Sequence, residues 1–152
     1  MMIPEDLSRN FTSYDEVLGT AARSFAAIRA STLCKQANSP MVWIPAERDR
    51  GSLSAEGLAR FISLDNLTVV QPPNQKEALW SAEQALRSNA LKLVVLEILE
   101  PYTLTQSRRL KLSLEASTTP VTLITILPAA GASMNSAAHT RWQIEPIPAQ
   151  NE

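Results

Sequence analysis

A short apolar run at positions 91–99, LKLVVLEIL, constrains the fold of this chain more than any other segment. Five of its first six residues are aliphatic, which leaves no polar face for solvent. Such a run is typical of a strand buried on both sides in the middle of a parallel sheet. Glu97 and Glu100 lie at its carboxyl end, before Pro101, where α/β proteins place metal or phosphate chemistry.

Shorter apolar segments alternate with amphipathic ones along the rest of the chain. We predict strands at 13–18, 41–44, 67–70, 121–127 and 140–147, the last near a sheet edge. Helices follow Thr20, Ser54, Asn74 and Thr103, each of which we interpret as an N-terminal cap. The segment 103–117 is ambiguous because its leucines alternate as in a strand, and its position between two apolar runs favours a helix.

This alternation predicts an α/β fold with a mostly parallel sheet, right-handed crossovers and helices on both faces. The length of 152 residues suits one compact domain with a single core. We divide the chain into a flexible N-terminal arm (1–12), an α/β domain (13–148) and a C-terminal tail (149–152).

Composition excludes several classes of function. The net charge of −1 gives no global reason for tight binding to nucleic acid. A single cysteine, Cys34, excludes an internal disulfide and cannot form a zinc site alone, and the lone His139 leaves no histidine cluster. No apolar stretch has the length of a membrane span, and the acidic N-terminus does not resemble a signal peptide. We therefore expect a cytoplasmic protein without a metal or a membrane contact.

The glycines argue against a nucleotide site. A phosphate-binding P-loop needs the pattern G-x-x-x-x-G-K-S/T, because glycine amides and a lysine wrap the phosphates. None of the four glycines precedes a lysine, and Gly19 is followed directly by a predicted helix. The dinucleotide pattern G-x-G-x-x-G is also absent. We predict no cofactor and no enzymatic activity.

The remaining reactive residues have a structural interpretation beside a functional one. Glu97 and Glu100 would be metal-holding acids or a solvated pair at a strand end, and the second interpretation is favoured because no phosphate partner is present. We expect Cys34 to be a small buried hydrophobic residue, and His139 an exposed loop residue.

The aromatic and arginine residues offer candidates for contact with a partner. Trp43 belongs to a predicted buried strand, whereas Trp80 and Trp142 suit either the edge of the core or a contact surface. Arg108 and Arg109 would form an anion site or a charged outer helix face, and we favour the outer face.

Five segments in order resemble the ImuA-type proteins, which are bacterial damage-inducible mutagenesis proteins related to the recombinase RecA and the division inhibitor SulA. These segments are MVWIPAERD, LARFISLDNLTVVQP, ALWSAEQALRSNALKLVVLEI, LTQSRRLKLSLEASTTPVTLI and TRWQIEP. The resemblance runs from about Asp15 to Pro146 and rests on their order and spacing. Its strongest pieces are at 78–88, 104–110 and 140–142.

The resemblance implies a RecA-like core and a role in the SOS response. ImuA-type proteins work with ImuB, a polymerase-like adaptor without catalytic activity, and with an error-prone replicative DNA polymerase in translesion synthesis. The first hypothesis is therefore a non-catalytic accessory factor that reaches DNA only indirectly. The resemblance also allows a contact with RecA and a homodimer.

Two alternatives stay open beside this hypothesis. SulA-like proteins share a shortened core without ATP, so the chain would be a division inhibitor that binds FtsZ. A remnant ATPase would instead bind nucleotide through Glu97 and an unusual loop. The chain departs from the ImuA pattern after Gly19, where the phosphate loop is missing, and after TRWQIEP, where many members continue into a tail that contacts partners.

Arginine and tryptophan most often dominate the energy of protein interfaces. The exposed edge of a sheet also leaves backbone groups free to pair with another chain. The candidate partner-binding residues are therefore Arg108, Arg109, Arg141, Trp142 and Trp80.

Overall fold

The computed structural model describes residues 12–34, 36, 38–46, 54–131 and 134–149. Strands and helices alternate through this part of the chain: β1 (Ser13–Leu18), α1 (Ala22–Leu33), β2 (Met41–Ile44), α2 (Ala55–Ala59), β3 (Leu67–Val69), α3 (Gln75–Arg87), β4 (Leu93–Glu97), α4 (Leu104–Glu115), β5 (Thr122–Ile126) and β6 (Thr140–Gln143). The predicted arm and tail lie almost wholly outside the described residues, so these two boundaries stay predictions.

The six strands form one sheet in the order β3-β2-β4-β5-β1-β6, and every pairing is parallel. The predicted α/β class and parallel sheet are confirmed. β4 lies between β2 and β5, with Val94 beside Val42 on one side and Leu123 on the other. The apolar run therefore forms a central strand, as its lack of a polar face predicted.

Helices cover both faces of the sheet, which gives two apolar layers. Val94 and Leu96 pack in the layer beneath α3 and α4, which includes Leu86 and Leu110. The alternate residues of β4, such as Val95, pack in the opposite layer with Phe25 of α1. Because neighbouring side chains of a strand point to opposite faces, β4 contributes to both cores.

Local hydrogen bonds explain where most helices begin. The side chains of Ser54 and Asn74 accept hydrogen bonds from the backbone N–H groups of Gly57 and Glu77. Thr103 caps α4 in a reciprocal capping box with Gln106. These three caps match their predictions.

The ambiguous segment 103–117 contains the helix α4. Leu110 and Leu114 are buried, whereas Leu112 is 61% exposed. Burial at positions four residues apart is the helical period, so the alternation of leucines in the sequence does not reflect a strand.

Thr20 does not cap α1, which corrects one prediction. The helix begins at Ala22, and its N-cap residue, Ala21, makes no side-chain capping bond. The Thr20 hydroxyl donates instead to Glu145, far along the chain. The last strand is also shorter than predicted, because β6 ends at Gln143, and it lies at the sheet edge as expected.

Candidate functional site

Glu97, at the end of the central strand, is buried, so the prediction of a solvated acid is wrong for this residue. Its Oε1 accepts hydrogen bonds from Nε and Nη2 of Arg23, at 2.9 and 2.6 Å. Its Oε2 accepts a third bond from Nε1 of Trp43, at 2.8 Å. Glu100 is exposed, as predicted. The carboxylate of Glu97 is therefore already paired in charge and in hydrogen bonds.

The position of Arg23 in the fold shows which two elements this ion pair connects. Arg23 is the second residue of α1, the helix that follows β1. In P-loop proteins the first turn of that helix and an acid on a neighbouring strand hold Mg²⁺ between them. Here the guanidinium connects the first turn of α1 to Glu97 at the end of β4, which β5 separates from β1 in the sheet, and it supplies a positive charge there.

The turn after β1 is covered by oxygen atoms of the chain that follows β6. Gly19 has a φ of +109°, and a Cβ atom there would overlap the carbonyl oxygen of Ile144. That carbonyl accepts a hydrogen bond from the N–H of Ala21, at 3.2 Å. Oε2 of Glu145 accepts bonds from the hydroxyl and the N–H of Thr20, at 2.6 and 3.3 Å.

These contacts place a carbonyl and a carboxylate where a phosphate would bind at the start of the helix. The hydrogen bonds from Thr20 and Gln143 lower the pKa of Glu145, so its carboxylate stays charged at neutral pH. A phosphate would meet both negative charge and occupied N–H donors. The donors of Thr20 and the carboxylate of Glu97 are thus paired with the chain's own side chains, Glu145 and Arg23.

Arg141 on β6 is directed into the domain. Its Nη2 donates to Oε1 of Glu16, at 3.1 Å, and to the carbonyl of Met134, at 2.6 Å. Glu16 is fully buried on β1, and its carboxylate also accepts bonds from Ser136 and, at 2.8 Å, from Tyr102. This network joins three parts of the fold, so Arg141 has a structural role.

Trp142 is half-buried and packs against the core layer beneath α1. Its Nε1 donates to the hydroxyl of Thr140, at 2.9 Å. That bond lies within β6, so it is the packing of the indole that attaches β6 to the domain, and the interface role of Trp142 remains a proposal.

Trp80 and Arg109 lie together in a groove between α3 and α4. Trp80 is 55% exposed, although it is an aromatic residue. Nη2 of Arg109 donates to Oε2 of Glu83, at 3.1 Å, across the groove. Six residues line it: Lys76, Leu79, Trp80, Glu83, Gln106 and Arg109.

Arg108 lies beside this groove, on the outer face of α4. It is exposed, four residues before the exposed Leu112. Within the described parts of the chain, Arg108 makes no hydrogen bond or ion pair. The five predicted residues therefore divide into a pair in the groove, one arginine on the neighbouring face, and two residues that hold β6.

The lone cysteine and histidine match their predictions. Cys34 is fully buried, and burial raises the pKa of its thiol to about 11, which disfavours the reactive thiolate. His139 is exposed, and its Nδ1 accepts a hydrogen bond from the N–H of Tyr14, at 2.9 Å. Among the residues that the structure describes, no group of three His, Cys, Asp or Glu side chains is arranged to hold a metal ion.

Sequence reasoning missed two partners that the fold supplies. Arg23 lies in the first turn of a helix, where a positive charge opposes the helix dipole, and this is a signal that it has a specific acidic partner. Glu16 lies in a strand that is buried at all six positions. An acid in such a strand requires internal donors, and the sequence SYDEVL offered that signal.

Comparisons with known proteins show a likeness of fold. No protein-family model and no curated protein matches the chain. Among solved structures, the crystal structure of SulA from Pseudomonas aeruginosa matches with a TM-score of 0.60 and 19% sequence identity. The match covers 76% of this chain and 98% of that chain. The chain therefore has a SulA-like α/β fold. Among the described helices, none is long and apolar enough to cross a membrane.

Proposed function

We propose that this chain is a non-catalytic protein of the bacterial SOS response that acts by binding another protein. The observation that carries this proposal is that the turn after β1 and the acid at the end of β4 are paired with the chain's own side chains. Arg23 neutralises Glu97, and Glu145 takes the N–H and hydroxyl donors of Thr20. A domain whose own side chains fill these positions is suited to recognition through its surface.

The first candidate partner is the division protein FtsZ, which SulA-type inhibitors bind. The likeness to SulA supports this candidate because it spans nearly the whole of that chain. The missing phosphate loop supports it too, since SulA-like proteins have the same shortened core. The chain would then delay division while damaged DNA is repaired.

The second candidate is an ImuA-type role beside an ImuB-type adaptor and an error-prone replicative polymerase. The motifs ALWSAEQALRS, LTQSRRL and TRW support it. Two of these motifs contribute to α3 and α4, which form the groove that contains Trp80 and Arg109. A neighbouring gene for a polymerase-like adaptor would favour this role over division control.

One experiment separates the two roles. Purified chain is mixed in parallel with FtsZ and with the ImuB-type adaptor of the same organism, and binding is measured by calorimetry. Saturable binding to FtsZ with inhibition of its polymerisation supports the first role, and saturable binding to the adaptor supports the second. Binding to neither protein, by a chain whose thermal melt is cooperative, overturns the proposal.

Variants then locate the surface. We expect Trp80→Ala and Arg109→Ala to weaken binding by about 1–3 kcal/mol while the domain stays folded. Arg141→Ala and Trp142→Ala should lower the melting temperature as well as binding, because Arg141 binds Glu16 of β1 and Trp142 packs against the core. Arg108→Ala tests the outer face of α4.

A further inference from the structure

We infer that the groove between α3 and α4 docks an acidic segment of a protein partner, with an apolar side chain of that segment packed on Trp80. This inference rests on the proposed function, because it assumes that the chain acts by binding a protein. It adds the surface and the chemistry of the segment that this surface recognises.

The exposed indole supplies the apolar part of the site. Trp80 is the most exposed of the three tryptophans, since Trp43 is fully buried and Trp142 is half-buried. Leu79 contributes an apolar wall beside it. A tryptophan left in water at the mouth of a groove is the kind of residue that dominates interface energy when a partner covers it.

The charge of the two helices that form the groove favours an acidic partner. Helices α3 and α4 together carry five basic and three acidic side chains, whereas the whole chain has a net charge of −1. The layer that these two helices form is therefore net positive, unlike the chain as a whole. Complementary charge across an interface favours the matching partner and disfavours like-charged ones.

The lining of the groove includes two basic side chains, Lys76 and Arg109, and one acidic side chain, Glu83. Lys76 lies four residues before Trp80 on α3, so both side chains are on one face of the helix. Arg109 is on the other wall, with 63% of its side chain exposed, and among the described residues it makes one hydrogen bond, to Glu83. A guanidinium has five N–H donors, so Arg109 retains donors for a carboxylate. Glu83 is nearly buried, and Arg109 offsets its charge.

The test uses two synthetic helical peptides that carry leucines along one face. Glutamates flank the leucines in the first peptide, and lysines replace the glutamates in the second. Binding of each fluorescein-labelled peptide to the full chain is followed by fluorescence anisotropy. We expect saturable binding of the glutamate peptide and at least about tenfold weaker binding of the lysine peptide, since one lost charge-assisted contact is worth that factor.

Variants assign the contacts. Trp80→Ala and Arg109→Ala should each weaken binding of the glutamate peptide by about tenfold or more. Arg108→Ala is the matched control, because it removes the same charge from the neighbouring position outside the groove, and it should change the affinity by less than about threefold. Lys76→Glu leaves the Arg109–Glu83 pair intact, and it should weaken the glutamate peptide and strengthen the lysine peptide.

Three results would overturn the inference: no saturable binding of the glutamate peptide, equal binding of both peptides, or an equal loss in Arg108→Ala and Arg109→Ala. Failure of the proposed function is a separate result. If FtsZ or the adaptor binds and Trp80→Ala binds it equally well, only the groove is wrong. If neither protein binds, the function is wrong.

Discussion

Arg23 and Glu97 connect the first turn of α1 to the end of the central strand through two hydrogen bonds to one carboxylate oxygen, of 2.9 and 2.6 Å. The two residues are 74 positions apart in sequence. Their pairing gives the buried Glu97 carboxylate a positive partner from within the chain. Glu145 completes the arrangement on the neighbouring turn, where it binds Thr20.

The first prediction concerns the stability that this pair provides. Arg23→Ala leaves a buried carboxylate with Trp43 as its remaining donor among the described residues, and we expect the free energy of unfolding to fall by about 1–3 kcal/mol. The range is below that of a fully buried pair because the Arg23 side chain is 39% exposed, which admits solvent screening. Urea denaturation measures the change. Arg108→Ala is the control, and equal losses in the two variants would show that the pair is not stabilising.

A second prediction concerns nucleotide. Titration calorimetry with Mg-ATP should give no saturable heat at concentrations up to about 1 mM, because Glu145 and the Ile144 carbonyl cover the turn where phosphate would bind. A stoichiometric isotherm in that range would revive the hypothesis of a remnant ATPase that uses Glu97.

The third prediction compares two glycines. Gly19→Ala should destabilise the domain by more than about 2 kcal/mol, because it combines a positive φ with an overlap on the Ile144 backbone. Gly57→Ala is the matched control: the site is helical, and the nearest atoms to a new Cβ are 3.4 Å away. We expect this control to stabilise the domain by about 0.5–1 kcal/mol. Thermal melts of both variants should therefore shift in opposite directions, and shifts of the same sign would contradict the covered turn.

A fourth prediction concerns pH. The hydrogen bonds from Thr20 lower the pKa of Glu145 in the folded chain relative to the ordinary value of 4.5. A carboxylate with a depressed pKa stabilises the fold above its unfolded-state pKa, and this contribution is lost as the pH falls through the folded-state pKa. Wild type should therefore exceed Glu145→Gln in stability at pH 7, and the two should converge below pH 4.5.

Denaturation midpoints across this pH range measure the effect. Glu100→Gln is the control, since Glu100 is exposed and its carboxylate makes no hydrogen bond among the described residues. A constant difference between wild type and Glu145→Gln from neutral to acidic pH would show that the Thr20 contact does not depend on the charge.

The sequence by itself determined the class of fold and most helix starts. The run at 91–99 predicted a central strand because a strand with apolar side chains on both faces is stable where both faces are covered, as they are in the middle of a parallel sheet. Asn74, Ser54 and Thr103 predicted their helices because a cap acts on N–H groups only two or three residues away. The same local reasoning gave Trp80 and Arg109 as candidate contact residues, which stays a prediction, and it did not show that they share a groove.

Tertiary structure alone decided the partners of the charged residues. Glu16 and Arg141 are 125 positions apart and meet because β6 pairs beside β1, in a register that places them side by side. Thr20 and Glu145 meet through the same pairing, and Glu97 is buried because α1 directs Arg23 toward the end of β4. Local patterns specify which face of an element is apolar. They do not specify which strands become neighbours, and buried charges are paired only once that order is fixed.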